Sequence, residues 1–280
     1  MYNLDDPLER SKFIYSLNAD IEAYCSSLDG GHRNHLGASI IGHDCQAYSW
    51  NTFRWLKREK FSGRMQRLFN RGHEEEARFI RWLKGARFTI HEIDPQTNKQ
   101  FRISGCKGHF GGSLDSVGYR DDCGYLLVEF KTHNSKSFAD LTKRKIILSK
   151  PKHYRQMCSY GKAYNLKHAL YCAVEKDTDE LHFEVVPLDY NQADDLFRKA
   201  DGIIFRQNQP QKIAQVETYH ECKYCNFKGI CHKEEPPEVN CRSCINAFPV
   251  DNGEWHCHKY NSIIPQDFIS KACPSYTRII

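Results

Sequence analysis

Apolar positions along this chain follow two kinds of spacing. In GHEEEARFIRWL, from Gly72 to Leu83, Phe79, Ile80 and Leu83 recur at the interval of one helix face. Residues 39–60 predict a helix beginning near Cys45, and residues 136–149 and 190–206 predict two more. Another helix runs from Pro151 to about Tyr164, because proline suits a first helical turn. Runs of β type lie at 87–93, 100–104, 109–119, 125–131, about 168–174 and 181–187. Asp121-Asp122-Cys123-Gly124 predicts the turn of a hairpin between the third and fourth of these runs. This order of elements predicts an α/β fold, a mixed central sheet with helices on both faces. Residues 1–38 read as a helical lead-in and 39–233 as the main domain. Glu234-Glu235-Pro236-Pro237-Glu238 reads as a short joint, followed by a small cysteine-rich module at 239–280.

Composition narrows the class. The 280 residues are 40% hydrophobic, 27% charged and 12% aromatic, a globular mixture that excludes wholesale disorder. No apolar run is long enough to cross a membrane. The opening MYNLDDPLERSK lacks the basic-then-apolar layout of a secretory signal, so a cytoplasmic location is expected. The net charge of +5 says little, but its distribution says more. Residues 53–87 hold 11 Lys and Arg against 4 acids, and residues 131–167 hold 10 against 1. Two basic stretches around an acidic centre suit a polyanion held over a metal-binding carboxylate cluster. No GxxxxGK[ST] phosphate loop occurs, which excludes an ATP-driven motor of that type.

The acidic centre lies in GGSLDSVGY and YLLVEFKTH. Glu129 and Lys131 are two apart on a strand and therefore point to one face. Positions 115 and 129 are equidistant from 122, so the hairpin sets Asp115 across from Glu129. Two carboxylates so placed can share a divalent cation, magnesium or manganese by the preference of hard oxygen ligands. Lys131 beside them can orient a water or stabilise negative charge. Leu126, Leu127, Val128 and Phe130 make this strand apolar enough to be central, so its charges need a reason to face inward. On the helix after Gly72, Glu76 shares the face of Phe79, Ile80 and Leu83, with His73 nearby, whereas Glu74 and Glu75 fall off it. Glu76 is therefore the glutamate expected at the sheet. After Pro151, Gln156 and Tyr160 share a helix face, flanked by Lys152 and Arg155.

The chain has 13 cysteines, seven of them in the last 59 residues. An odd count without a secretory signal points to metal rather than to a disulfide framework. Cys222-x2-Cys225-x5-Cys231 supplies three converging thiolates. Cys241-x2-Cys244-x12-Cys257-x15-Cys273 has the form of a small zinc module, with His256 and His258 as substitute ligands and an iron–sulfur cluster as the alternative. Cys158 and Cys172 sit in apolar surroundings and read as core residues.

Gly72-xxx-Glu76, Asp115, Glu129-x-Lys131 and Gln156-xxx-Tyr160, in that order, resemble the PD-(D/E)xK nuclease superfamily, and its RecB-like branch in particular. The resemblance implies metal-dependent hydrolysis of DNA, with Glu76, Asp115 and Glu129 as ligands of magnesium or manganese. It also implies that Lys131 is catalytic and that Gln156 and Tyr160 position DNA or water. RecB-like exonucleases often carry a 4Fe–4S cluster on one cysteine before the nuclease core and three after it. Cys45 with Cys222, Cys225 and Cys231 matches that layout, and zinc is the alternative at the same thiolates. Such a clasp would close a loop of about 180 residues. The expected function is a DNA exonuclease in phage or mobile-element recombination, with a single-strand annealing protein as a candidate partner. A structure-specific endonuclease and a non-catalytic metal-containing DNA-binding protein are the alternatives.

Overall fold

The hairpin expected around residue 122 is the spine of the molecule. The structure, a computed structural model, describes residues 2–28 and 30–280. Its main helices are α1 (Pro7–Ser27), α2 (Gln46–Phe53), α3 (Gly63–Gly85), α4 (Ser135–Ser149), α5 (Pro151–Ala163) and α6 (Tyr190–Ile204). The main strands of the body are β1 (Thr89–His91), β2 (Arg102–Gly105), β3 (Phe110–Ser113), β4 (Ser116–Arg120), β5 (Gly124–His133), β6 (His168–Glu175) and β7 (Leu181–Pro187). The central sheet has the order β7-β6-β5-β4-β1, parallel between β5 and β6 and antiparallel elsewhere. Ser116 pairs with Val128 and Arg120 with Gly124, the register centred on residue 122.

Alternation along β5 decides what each face does. Leu126, Val128 and Phe130 pack with Leu170, Cys172 and Val174 of β6 against Phe79, Ile80 and Leu83 of α3. The other face carries Leu127, Ala169, Tyr171 and Ala173, covered by Tyr154, Met157, Cys158 and Tyr160 of α5 and by α6. Glu129, Lys131 and His133 continue that second face.

The helix expected within 39–60 ends at Phe53, and two boundaries nearer the carboxylates also differ from the sequence reading. Helix α3 begins at Gly63 rather than Gly72, because Ser62 Oγ accepts the Met65 amide at 3.3 Å and caps it nine residues earlier. Gly72 lies mid-helix with open space where a Cβ would stand. The run 109–119 is two strands, not one. β3 belongs to a small sheet with β2 and the short strand Leu36–Gly37, whereas β4 belongs to the central sheet. Leu114 and Asp115 cross between them, and Asp115 Oδ2 accepts the Phe130 amide at 2.9 Å across the break.

The C-terminal segment forms a three-stranded antiparallel sheet of β8 (Ala247–Pro249), β9 (Trp255–Cys257) and β10 (Ser262–Ile263). Ala247, Trp255, Ile264 and Ile269 lie in the same core as Trp50, Phe53 and Leu127 of the body. The joint before it is held too, with the Glu238 amide donating to Leu56 O at 2.7 Å and Lys57 paired to Glu235 at 2.7 Å. Among the described residues, no helix is long and apolar enough to cross a membrane.

Candidate active site

Asp115, Glu129 and Lys131 meet where β4 and β5 leave the crossing between the two sheets. Lys131 Nζ stands 2.5 Å from Glu129 Oε1 and 3.6 Å from Asp115 Oδ2, and donates to Phe130 O at 2.9 Å. The Glu129 side chain is fully buried, that of Asp115 19% exposed and that of Lys131 27%. Apart from the ion pair with Lys131, neither Glu129 oxygen has a hydrogen-bond partner among the described residues. Burial, then the charge of Asp115, pushes the Glu129 carboxyl up to about 7. Burial works against the Lys131 charge, yet Glu129 and Asp115 outweigh it and hold the ammonium well above its ordinary value.

Helix α3 brings Glu76 to the same place. A cleft of about 520 Å³ is lined by Glu76, His73, Lys131, Arg33, Phe61 and Phe69 among others. His73 Nδ1 lies 3.6 Å from Glu76 Oε1. Glu76 is pushed above its ordinary range by burial and then by Asp115, so it stands within the field of the carboxylate pair. Glu74 is exposed and accepts from Asn70 at 3.0 Å. Glu75 departs from the helix-face reading: it is buried, because Arg78 clamps its two oxygens at 2.8 and 2.9 Å and carries its charge inward. Arg33, Phe61 and Phe69 escaped the sequence reading as individual residues. Their signal was the basic and aromatic interleaving before Gly72, since the cleft that collects them forms only when α3 folds back over the sheet.

From α5, Gln156 Nε2 donates to the Tyr160 hydroxyl at 3.0 Å. Burial first, then the charge of Glu129, raises the Tyr160 hydroxyl above its ordinary value, which places it beside the carboxylates. The sequence reading missed three partners of this face. The Tyr171 hydroxyl lies 3.0 Å from His133 Nε2 and 2.9 Å from His153 Nδ1, and Tyr171 pairs in register with Glu129. Burial depresses His133 to about 4 and His153 to about 3, so both imidazoles are neutral near pH 7. Their only sequence signal is His133 at two-residue spacing from Lys131.

The donor set at this centre is oxygen, and one carboxylate is buried with an oxygen that no described residue satisfies. That is a fit for a hard divalent cation, which keeps several waters and needs few protein ligands. Among the described residues, no group of three or more His, Cys, Asp or Glu side chains is arranged to hold one ion by itself.

The cysteines gather in two places. Cys45, Cys222, Cys225 and Cys231 line one small cavity of about 20 Å³, together with Tyr48 and Asn51. Burial, and then the neighbouring thiols with Cys45 among them, raises Cys222, Cys225 and Cys231. Cys241, Cys244, Cys257 and Cys273 line a second small cavity of about 20 Å³. His256 and His258 are not among its lining; their rings lie 5.5 Å apart beside it in sequence. Cys158 and Cys172 are core residues.

A family model for the PD-(D/E)XK nuclease superfamily matches residues 35–232. No curated protein matches the sequence. Among solved structures, LHK-Exo in complex with dAMP is similar at 14% identity and a TM-score of 0.44, over 66% of this chain and 90% of that one. The alkaline exonuclease LHK-Exo from Laribacter hongkongensis gives 16% and 0.43 over 66% and 90% of the two chains. A protein designated SSO0001 gives 18% and 0.44 over 80% and 98%.

Proposed function

Because the chain belongs to the PD-(D/E)XK nuclease superfamily, we propose that it is a DNA exonuclease of the RecB-like branch, dependent on magnesium or manganese. The observation that carries this reading is the buried Glu129, unsatisfied among the described residues, beside Asp115 and Lys131, with Lys131 and Glu76 lining a cleft that also holds basic and aromatic residues. In this reading Asp115, Glu129 and Glu76 hold the cation. The cation would polarise the scissile phosphate and lower the pKa of a bound water. Lys131 holds a positive charge where negative charge develops at the phosphate, and its carboxylate neighbours keep it protonated. Gln156 and Tyr160 orient the strand or the water, and Arg33 and His73 line the path of the backbone. The biological setting is DNA end processing in phage or mobile-element recombination, with a single-strand annealing protein to receive the product.

Linear and covalently closed circular DNA, each with magnesium and with manganese, test the reading. Degradation of linear DNA with closed circles spared is expected. Nicked circles would point to an endonuclease on the same fold, and no cleavage of either to a binding protein.

Cys45, Cys222, Cys225 and Cys231 belong, in the same reading, to a 4Fe–4S cluster that clasps the two ends of the nuclease body. A cubane puts each thiolate on its own iron and does not require three sulfurs to meet at one ion. Anaerobically purified protein should be brown, with about four irons per cluster. Cys45→Ser should lower iron content and yield of folded protein together. Zinc in place of iron would keep the clasp and change the metal, and unchanged metal content in Cys45→Ser would remove the clasp.

A further inference from the structure

Two arginines are the largest buried charges outside the carboxylate centre, and the nuclease reading gives them no work. Arg54, just past the end of α2, is 0% exposed, and Arg242, in the C-terminal segment, is 1% exposed. Among the described residues, neither forms an ion pair with a carboxylate; the hydrogen bonds of both end on backbone carbonyls. The Nε of each is buried with no hydrogen-bond partner among the described residues. Both contact the Trp255 ring, the Arg54 guanidinium at 5.1 Å and that of Arg242 at 4.8 Å from its centre. Two like charges held this close in a dry interior cost several kcal/mol unless an anion offsets them. Carbonyl dipoles and stacking on tryptophan supply part of that.

A source for the remaining charge lies next to Arg242. Arg242 lies between Cys241 and Cys244 in the chain, and these two thiols line one cavity with Cys257 and Cys273. Arg54 donates to the carbonyl of Ala247, which lines the same cavity, at 2.9 Å. Four thiols in a cavity are neutral and offer nothing to a guanidinium. Four thiolates, each on its own iron of a 4Fe–4S core of charge 2+ or drawn together onto Zn2+ from positions that do not by themselves meet at one ion, leave about two net negative charges. Two buried cations match two such charges.

We propose that Cys241, Cys244, Cys257 and Cys273 hold a thiophilic metal centre as a tetrathiolate dianion, with Arg54 and Arg242 as its built-in counter-charges. The pair also joins the C-terminal segment to the body. Arg242 donates to Phe53 O at 3.1 Å and Asn34 O at 2.6 Å, while Arg54 reaches the other way to Ala247 O at 2.9 Å. The metal therefore sits at a reciprocal lock, and binding it neutralises both halves at once. This inference stands apart from the nuclease reading, because its readout is metal and not cleavage.

The test uses the full chain purified anaerobically, with elemental analysis and X-ray absorption at the zinc and iron edges. Wild-type protein should hold two thiolate-bound centres per chain. Cys222→Ser/Cys225→Ser should retain one, and Cys257→Ser/Cys273→Ser should lose that one. One zinc or about four irons at the retained centre identifies the metal, and either result supports the site. Wild-type protein with a single centre, removed by Cys222→Ser/Cys225→Ser, would overturn it, whether or not the tail variant folds. The counter-charge role is read from the rate of metal transfer to a chelator. Arg242→Gln and Arg54→Gln should each accelerate transfer about tenfold or more, Arg242→Lys much less, and exposed Arg206→Gln not at all. Equal rates in all four would leave the arginines with no part in holding the metal.

Discussion

The carboxylate centre and the arginine pair are opposite in sign and unlike in finish. At the first, Asp115 and Glu129 share one cation, Lys131, and Glu129 keeps an oxygen with no partner among the described residues. At the second, both guanidiniums are sealed between aromatic rings and donate to carbonyls on two segments of chain. The first reaches a cleft through Lys131; the second is enclosed by protein, with Arg242 next in the chain to Cys241 of a cysteine-lined cavity. Buried charge left unsatisfied beside an opening is suited to chemistry. Buried charge satisfied on every side but one is suited to joining parts.

The comparison breaks most sharply by mutation. Asp115→Ala, Glu129→Ala and Lys131→Ala should each reduce cleavage by about 10³-fold or more, with DNA binding in gel-shift assays and thermal unfolding close to wild type. Near-normal cleavage in all three would remove the catalytic reading. Arg54→Gln and Arg242→Gln should do the reverse, lowering stability to denaturant by about 3 kcal/mol while cleavage per folded molecule stays within about twofold. The two glutamates of α3 sharpen the contrast within one helix. Glu76→Gln should lower cleavage about tenfold to a hundredfold at limiting magnesium. Glu75→Gln should instead cost about 1–2 kcal/mol of stability through the loss of the Arg78 pair, and a fall in cleavage equal to that of Glu76→Gln would reverse the assignment.

The smallest effect is on pH. Glu129 has a folded value near 7 against an ordinary 4.5, so between these the folded state holds a proton that the unfolded state has released. In magnesium-free buffer this group makes stability fall as pH rises through that window. Magnesium favours the ionised carboxylate and should flatten the trend, as should Glu129→Gln. Thermal unfolding between pH 4.5 and 7, with and without magnesium, checks the sign.

Local signals were legible in the sequence and distant ones were not. The hairpin register follows from one turn and two runs of alternation, and Ser116 opposite Val128 realises it. Glu76 could be set near the sheet because Phe79, Ile80 and Leu83 fix the helix phase. Glu75 could not be placed, because its burial depends on Arg78 and not on apolar periodicity. The break at Leu114–Asp115 was hidden because both halves of 109–119 are β in pattern, and only pairing with Leu36–Gly37 and β2 separates them. The contacts of Arg242 with Asn34 and Phe53 span about two hundred residues and leave no local trace.

That span has a consequence for how the protein is made. Chains emerge from the ribosome N-terminus first. Trp50, Phe53 and Arg54 are synthesised early, yet Trp255 and the Ala247 carbonyl that cover them come about two hundred residues later. Until then the nuclease body displays aromatic surface and an unhoused guanidinium, features that recruit chaperones and mark a chain for proteolysis. A product that stops before residue 240 keeps every residue of the carboxylate centre and still lacks its cover, so a prematurely terminated chain is exposed to clearance by the cell.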